Sequence, residues 1–290
     1  MRIANNSGRL ALVDGDHILD VESTSGGAFS ADPMAVFGRW TELGDWATTV
    51  DVAGHPDATA LSDAILDAPS PRPRQVFGIG LNYADHAAES GLPLPEKPVV
   101  FTKFSSSVAG PDVEVRLPGE TVDWEAELVV VIATGGRRIP VAEARSHIAG
   151  YTVGQDLSER TVQWQDQPPQ FSVGKSFENF APIGPCIVTL DELTHADALG
   201  ISATIVAVDG TESVMQDGNT DQLVFSVDEL IARLSEIVEL LPGDLIFTGT
   251  PPGVGAGRDP KRFLVEGETL VTEIEGIGRI TQRFVAGAPS

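Results

Sequence analysis

The sequence predicts a strand-rich α+β fold in two unequal parts: a small N-terminal β-containing domain, then a larger strand-rich one. Three observations predict it. Short runs of β-branched and aliphatic residues recur after residue 75, each bounded by turn formers. Clear helical signals are confined to two stretches in the same region. The segment Ala68-Pro69-Ser70-Pro71-Arg72-Pro73-Arg74 can continue neither a helix nor a central strand, so it reads as a connector. Residues 1–68 are therefore assigned to the N-terminal domain, 69–75 to the proline-rich linker and 76–290 to the large domain.

Taken in chain order, Arg9 to Val13 and His17 to Val21 flank Asp14-Gly15 and predict a β-hairpin. Short helices are expected over Asp32 to Leu43 and Leu61 to Leu66. Beyond the connector, strands are expected at Val99 to Lys103, Glu127 to Ala133, Tyr151 to Gly154 and Cys186 to Thr189. Four more are expected at Ile201 to Val208, Leu245 to Thr248, Thr269 to Ile274 and Arg279 to Val285, with turns at Asp209-Gly210 and Gly276-Ile277-Gly278. One helix follows Pro140 through Ala149. The other runs from Val227 to Leu241: Ser226 and Glu229 form a capping box, Leu230, Leu234, Ile237, Val238 and Leu241 make the apolar face, and Pro242-Gly243 ends it.

Composition narrows the function classes. A net charge of −23 argues against nucleic acid and anionic membrane surfaces as partners. No run of about 18 apolar residues predicts a membrane span, and Met1-Arg2-Ile3-Ala4-Asn5-Asn6 lacks a signal-peptide core, so a cytoplasmic location is expected. The single Cys186 excludes an intrachain disulfide and reads as a small buried hydrophobe. His17 and His55 read as exposed.

The richest chemistry lies in Asp123-Trp124-Glu125-Ala126-Glu127-Leu128. Strand alternation turns Glu125 and Glu127 to one face at the mouth of an apolar strand. Buried side by side they repel each other, and a hard divalent cation such as Mg²⁺ or Mn²⁺ would relieve the cost. Taken alone, an E-x-E is more often a solvated strand end. Asp156, just past the strand at Tyr151 to Val153, is a third candidate ligand, although Asp in that position commonly serves a turn. His86 and Glu89 are three apart in an Ala-rich helical piece and can pair, which suits a general base as well as it suits an ordinary surface pair.

These pieces combine into a resemblance. The stretches GLNYADHAAE (80–89), KPVVFTKFSSSVAGP (97–111), DWEAELVVVIA (123–133), GYTVGQDLSER (150–160), GKSFENFAPIGP (174–185) and PGDLIFTGTPPGVG (242–255) make the chain similar to the fumarylacetoacetate hydrolase family. In motif detail it is most similar to the diketo-deoxy sugar acid hydrolase and acylpyruvase-like members. The resemblance implies a mixed β-roll with peripheral helices, a homodimer, Mg²⁺ (Mn²⁺ as the alternative) on Glu125, Glu127 and Asp156, and a water-activating His86–Glu89 dyad. It places Lys175, Arg160, Gln163 and Thr250 at the substrate, with Lys175 also stabilising charge during catalysis. The substrate class is a small anionic 2-oxo acid. The expected activity is Mg²⁺-dependent hydrolysis of a C–C bond in a diketo acid; the alternative is oxaloacetate decarboxylation or 2-oxo acid isomerisation or tautomerisation through the same enolate. A non-catalytic binding homologue is the reading of a different class. Two departures stand out: Gln155 where many members have Asn, and Leu81 where many acylpyruvate-cleaving members have Arg. Residues 82–95, carrying the dyad among small residues and prolines, are expected to act as a lid.

Overall fold

The computed structural model describes residues 1–84 and 95–287. His86, Glu89 and the rest of the expected lid from 85 to 94 lie outside them. The chain begins with β1 (Arg2–Asn6), β2 (Arg9–Asp14) and β3 (His17–Asp20), an antiparallel meander in which the expected hairpin is β2–β3. Gly15 supplies the positive φ of its turn. The helix expected over residues 32–43 is instead two 3₁₀ turns, Pro33–Ala35 and Phe37–Arg39, followed by an α-helix at Trp40–Ala47. Asp32 caps the first turn through Met34 N–H, and Gly38, a weak helix former, lies inside the second turn. Likewise, the helix expected over 61–66 is one 3₁₀ turn, Leu61–Asp63. It lies between the short strands β4 (Thr59–Ala60) and β5 (Leu66–Asp67). β5 pairs with β1, so tertiary pairing overrides local preference there.

After the connector come β6 (Val76–Gly80), β7 (Val99–Thr102), β8 (Val108–Ala109), β9 (Asp112–Arg116) and β10 (Val122–Asp123). The centre of the molecule follows: β11 (Ala126–Ile132), β12 (Ile148–Gln155), β13 (Ser158–Glu159) and β14 (Ala181–Val188). The last strands are β15 (Gly200–Val206), β16 (Glu212–Asn219), β17 (Leu245–Phe247), β18 (Thr269–Ile274) and β19 (Gly278–Val285). Among the described residues the large mixed sheet runs β4-β3-β2-β1-β14-β12-β11-β17-β6-β7, with β5 and β8 attached at its side. A second mixed sheet runs β16-β15-β18-β19-β9, and neither closes into a barrel. The N-terminal strands therefore join the large sheet directly, through β1 against β14.

β11 and β12 are buried along their whole length. Alternation splits β11 between two cores: Leu128, Val130 and Ile132 enter one, Val129 and Val131 the other. That is why its sequence is uniformly apolar and not alternating. The helix expected over 140–149 is a 3₁₀ stretch, Val141–His147, which gives way to β12 at Ile148. The capped helix is Val227–Ile237, with both arms of the Ser226–Glu229 box formed. It ends four residues early because Val238 is extended and Leu240 exchanges backbone hydrogen bonds with Gly136. Among the described residues no helix is long and apolar enough to cross a membrane.

Candidate active site

Strand pairing assembles the three acidic candidates. β11 and β12 are antiparallel with Glu127 opposite Gly154 and Ala126 opposite Gln155, so residues entering one strand meet residues leaving the other. Glu125 stands just before β11 and Asp156 just after β12, and the Asp156 N–H donates to the Glu125 carbonyl at 2.9 Å. Carboxylate oxygens of Glu125, Glu127 and Asp156 come within 4.8 Å of one another, and all three residues are buried. Gln155 helps to hold them. Its Oε1 accepts from Glu125 N–H at 2.9 Å, and its Nε2 donates to Thr272 Oγ1 at 2.8 Å.

Two lysines and an arginine surround the cluster. Lys175 follows the short helix Phe171–Gly174 and is 2 % exposed. Its Nζ donates to Glu125 Oε2 (2.8 Å), Asp156 Oδ2 (2.7 Å) and Ser158 Oγ (2.8 Å). An ammonium has three N–H bonds, so all three are spent inside the protein. Lys103, at the end of β7, donates to the other oxygen, Asp156 Oδ1, at 2.5 Å. Arg160, first residue of the helix Arg160–Trp164, lies 2.7 Å from both Asp123 Oδ2 and Glu125 Oε1 through Nη2, and its Nη1 donates to Gln163 Oε1 at 2.9 Å. Its guanidinium is thus occupied by Asp123, Glu125 and Gln163, not by Glu159 or Asp156. Thr250, in the loop after β17, accepts from Gln216 Nε2 at 2.7 Å, and the neighbouring Gly249 N–H donates to Glu127 Oε2 at 2.7 Å. One N–H of this loop, that of Gly249, is thus spent on a site carboxylate.

Asp123, Lys103 and Gln216 belong to this network and are absent from the sequence-based candidates. Asp123 continues the every-second-residue series with Glu125 and Glu127, which is a legible signal. Lys103 directly follows the apolar run of β7, which is a weaker signal. Gln216, which holds Ala126 N–H, Thr250 and the Pro251 carbonyl, carries no sequence signal, because β16 meets the site only through the fold.

The charges are unevenly balanced. Among the described residues, and counted at full ionisation, four carboxylates (Asp123, Glu125, Glu127, Asp156) face three cations (Lys103, Lys175, Arg160), a formal balance of one negative charge. Burial pushes the Glu125 carboxyl up, but Lys175 and Arg160 outweigh it and hold it at about 2. Glu127 is the opposite case. Burial, with Asp156 and Glu125 adding repulsion, drives it well above the usual carboxylate range. Burial and the charge of Lys175 pull Lys103 down despite Asp156, whereas Asp156 and Glu125 overcome burial at Lys175 and keep it raised. Glu127 is therefore a buried carboxyl in want of positive charge. The donor set, all hard oxygens within one cation's reach, fits a divalent ion of the Mg²⁺ or Mn²⁺ kind.

Comparison with known proteins agrees with this chemistry. The sequence profile of the fumarylacetoacetate (FAA) hydrolase C-terminal domain matches residues 75–285. The mitochondrial oxaloacetate tautomerase FAHD2A of Bos taurus is 39% identical over 280 residues, spanning 92% of this chain and 87% of that protein. The crystal structure of a candidate HpcE protein from Mycobacterium smegmatis superposes with a TM-score of 0.92 at 50% identity, covering 99% of this chain and 100% of the other. The maleylpyruvate hydrolase of Sphingobium sp. SYK-6, solved with manganese(II) and pyruvate, superposes with a TM-score of 0.80 at 27% identity, over 99% and 100% of the two chains.

Proposed function

Because the chain belongs to the fumarylacetoacetate hydrolase family, we propose that it is a divalent-metal-dependent enzyme interconverting the keto and enol forms of oxaloacetate or a closely related 2-oxo dicarboxylic acid. The observation that carries this reading is the likeness, along nearly the whole chain, to an oxaloacetate tautomerase. The site chemistry supports it. Glu125, Glu127 and Asp156 would hold the cation. When bound, Mg²⁺, or Mn²⁺ as the alternative, would polarise the 2-oxo group as a Lewis acid and offset the charge gathering on its oxygen. With a divalent ion added, the one residual negative charge of the cluster becomes one positive charge, which suits a dianion.

The protein's own residues divide the remaining work. Lys103 and Lys175 fix Asp156 from both oxygens, and Lys175 adds a fixed positive charge near the substrate without a hydrogen bond to spare. Thr250 accepts from Gln216, so its own hydroxyl hydrogen can be given to a substrate oxygen. Arg160 and Gln163 form the wall that sets Glu125. His86, with Glu89 as its partner, is the proposed acceptor of the proton from C3, and a proton returns to the 2-oxo oxygen to complete the enol. The working unit is taken to be a homodimer, for which light scattering should return twice the chain mass.

A second reading is C–C hydrolysis of an acylpyruvate-type acid, favoured by the likeness to a maleylpyruvate hydrolase. The test follows the enol absorbance of oxaloacetate together with pyruvate release from oxaloacetate and from an acylpyruvate, with Mg²⁺ or Mn²⁺ present. Accelerated loss of the enol signal without pyruvate release supports tautomerisation. Pyruvate from the acylpyruvate, with no effect on the enol, overturns it in favour of hydrolysis.

A further inference from the structure

We propose that Asp123 is a positioning residue that acts through Arg160 to keep Glu125 available to a cation. The inference rests on the metal-site reading above and goes beyond it, since Asp123 is not among the proposed ligands. Asp123 is fully buried on β10. Its Oδ1 accepts from Trp124 N–H at 2.9 Å and from Gly255 N–H at 2.7 Å. Its Oδ2 accepts from Ala256 N–H at 3.0 Å and from Arg160 Nε at 2.8 Å, with Arg160 Nη2 2.7 Å away. One carboxylate thus joins three pieces of chain: the head of the acidic motif, the loop after β17 and the helix that carries Arg160.

The geometry at Arg160 shows what this accomplishes. A guanidinium facing a carboxylate alone tends to bind it through two nitrogens. Here the Nε–Nη2 side is turned to Asp123, and Glu125 receives a single contact, Nη2 to Oε1. The remaining nitrogen, Nη1, is held by Gln163. Glu125 is in this way oriented but not sealed. If the Asp123 charge is removed, the buried guanidinium keeps its full charge and has Glu125 as its nearest anion. It should then close on Glu125 and compete with a divalent ion for the same oxygens. The loop side is tightly built as well: a Cβ on Gly255 would lie 2.7 Å from Asp123 Oδ1 and 1.8 Å from the Arg262 carbonyl, so no side chain fits between the loop and Asp123.

The experiment is calorimetric titration of Mn²⁺ into the full chain as wild type, Asp123→Asn, Arg160→Gln and the double variant. Melting curves accompany each titration. Asp123→Asn should weaken Mn²⁺ binding by about 10-fold or more, the usual scale for groups that orient metal ligands. Removing the guanidinium in the same molecule should undo that loss, so the double variant should bind Mn²⁺ within about 3-fold of Arg160→Gln alone, the non-additivity expected of coupled neighbours. Wild-type affinity in Asp123→Asn overturns the proposal. So does a double variant as weak as Asp123→Asn, because Asp123 would then act through the loop alone. If Asp123→Asn does not fold, comparing the double variant with Arg160→Gln still decides, and a difference beyond about 3-fold overturns the proposal. A wild type that binds no Mn²⁺ overturns the metal reading and this inference together; a wild type that binds while Asp123→Asn matches it overturns this inference alone.

Discussion

Glu127 concentrates the electrostatic strain of the site. It is 1 % exposed, lies beside two other carboxylates and receives one backbone hydrogen bond, from Gly249. Without a cation its raised carboxyl costs stability as pH climbs above the ordinary carboxylate range, because the folded state holds a proton that the unfolded chain has released. Glu127→Gln keeps the acceptor for Gly249 and removes the charge. Thermal melts should show the metal-free variant about 2–4 °C above wild type, equivalent to about 1 kcal/mol in a chain of this size, together with loss of the Mn²⁺-induced shift. Cys186 gives a second residue-scale test. Burial pushes its thiol from 9.0 up to about 11. Below pH 9 both states keep the proton; between about 9 and 11 only the unfolded chain loses it, so stability falls as pH rises through that window. Two pKa units correspond to roughly 2–3 kcal/mol. Denaturant titrations from pH 8 to 11 should therefore show a shallower decline in Cys186→Ala than in wild type.

At the scale of elements, β6 and β7 meet through an absent side chain. A Cβ on Gly78 would lie 2.3 Å from Cε2 and Cζ of Phe101, whose ring stands 5.1 Å from Lys175 Nζ. Gly78→Ala should cost about 1–3 kcal/mol by overpacking, measured by denaturant unfolding, and should lower activity by displacing Phe101 from Lys175. Much of this level was legible in advance. The β11 run, the capped helix after Ser226 and the β18–β19 turn each carry a strong local pattern, and all three form. The strands that lacked a local pattern are β1, β5 and β16: they are defined by the strands they pair with, and their own sequences, such as Arg2-Ile3-Ala4-Asn5-Asn6, alternate weakly. The same logic separates the legible from the illegible part of the site. Glu125, Glu127 and Asp156 sit at the ends of apolar runs and announce themselves, whereas Gln216 reaches the site only because β16 is folded against it.

For the molecule as a whole, a cation that binds the folded state and not the unfolded one must raise stability by mass action. At about 100 times its dissociation constant the gain is about 2.7 kcal/mol, and melting curves should rise by about 5–10 °C with Mn²⁺ or Mg²⁺. Na⁺ at matched ionic strength should give less, although it will also stabilise a chain of net charge −23 by screening. A melting temperature that follows ionic strength alone would count against a specific site.

The pairing of β1 with β14 reaches furthest. β14 carries the carbonyls and N–H groups of a central strand, and the first strand of the chain is what satisfies its outer edge. A chain trimmed to residues 69–290 would keep every proposed site residue and still expose that edge, along with Ile183 and Ile187, which are now fully buried. Such an edge is a template for other chains. The trimmed protein should come out of expression as aggregate or as swapped multimers, readable by size-exclusion chromatography. The opening strands thus act as an edge protector for a strand that lies far along the chain, Arg2 pairing with Val188 and Ile3 with Ile187, and any recombination that transplanted the acidic cluster onto a new scaffold would have to bring a replacement guard with it.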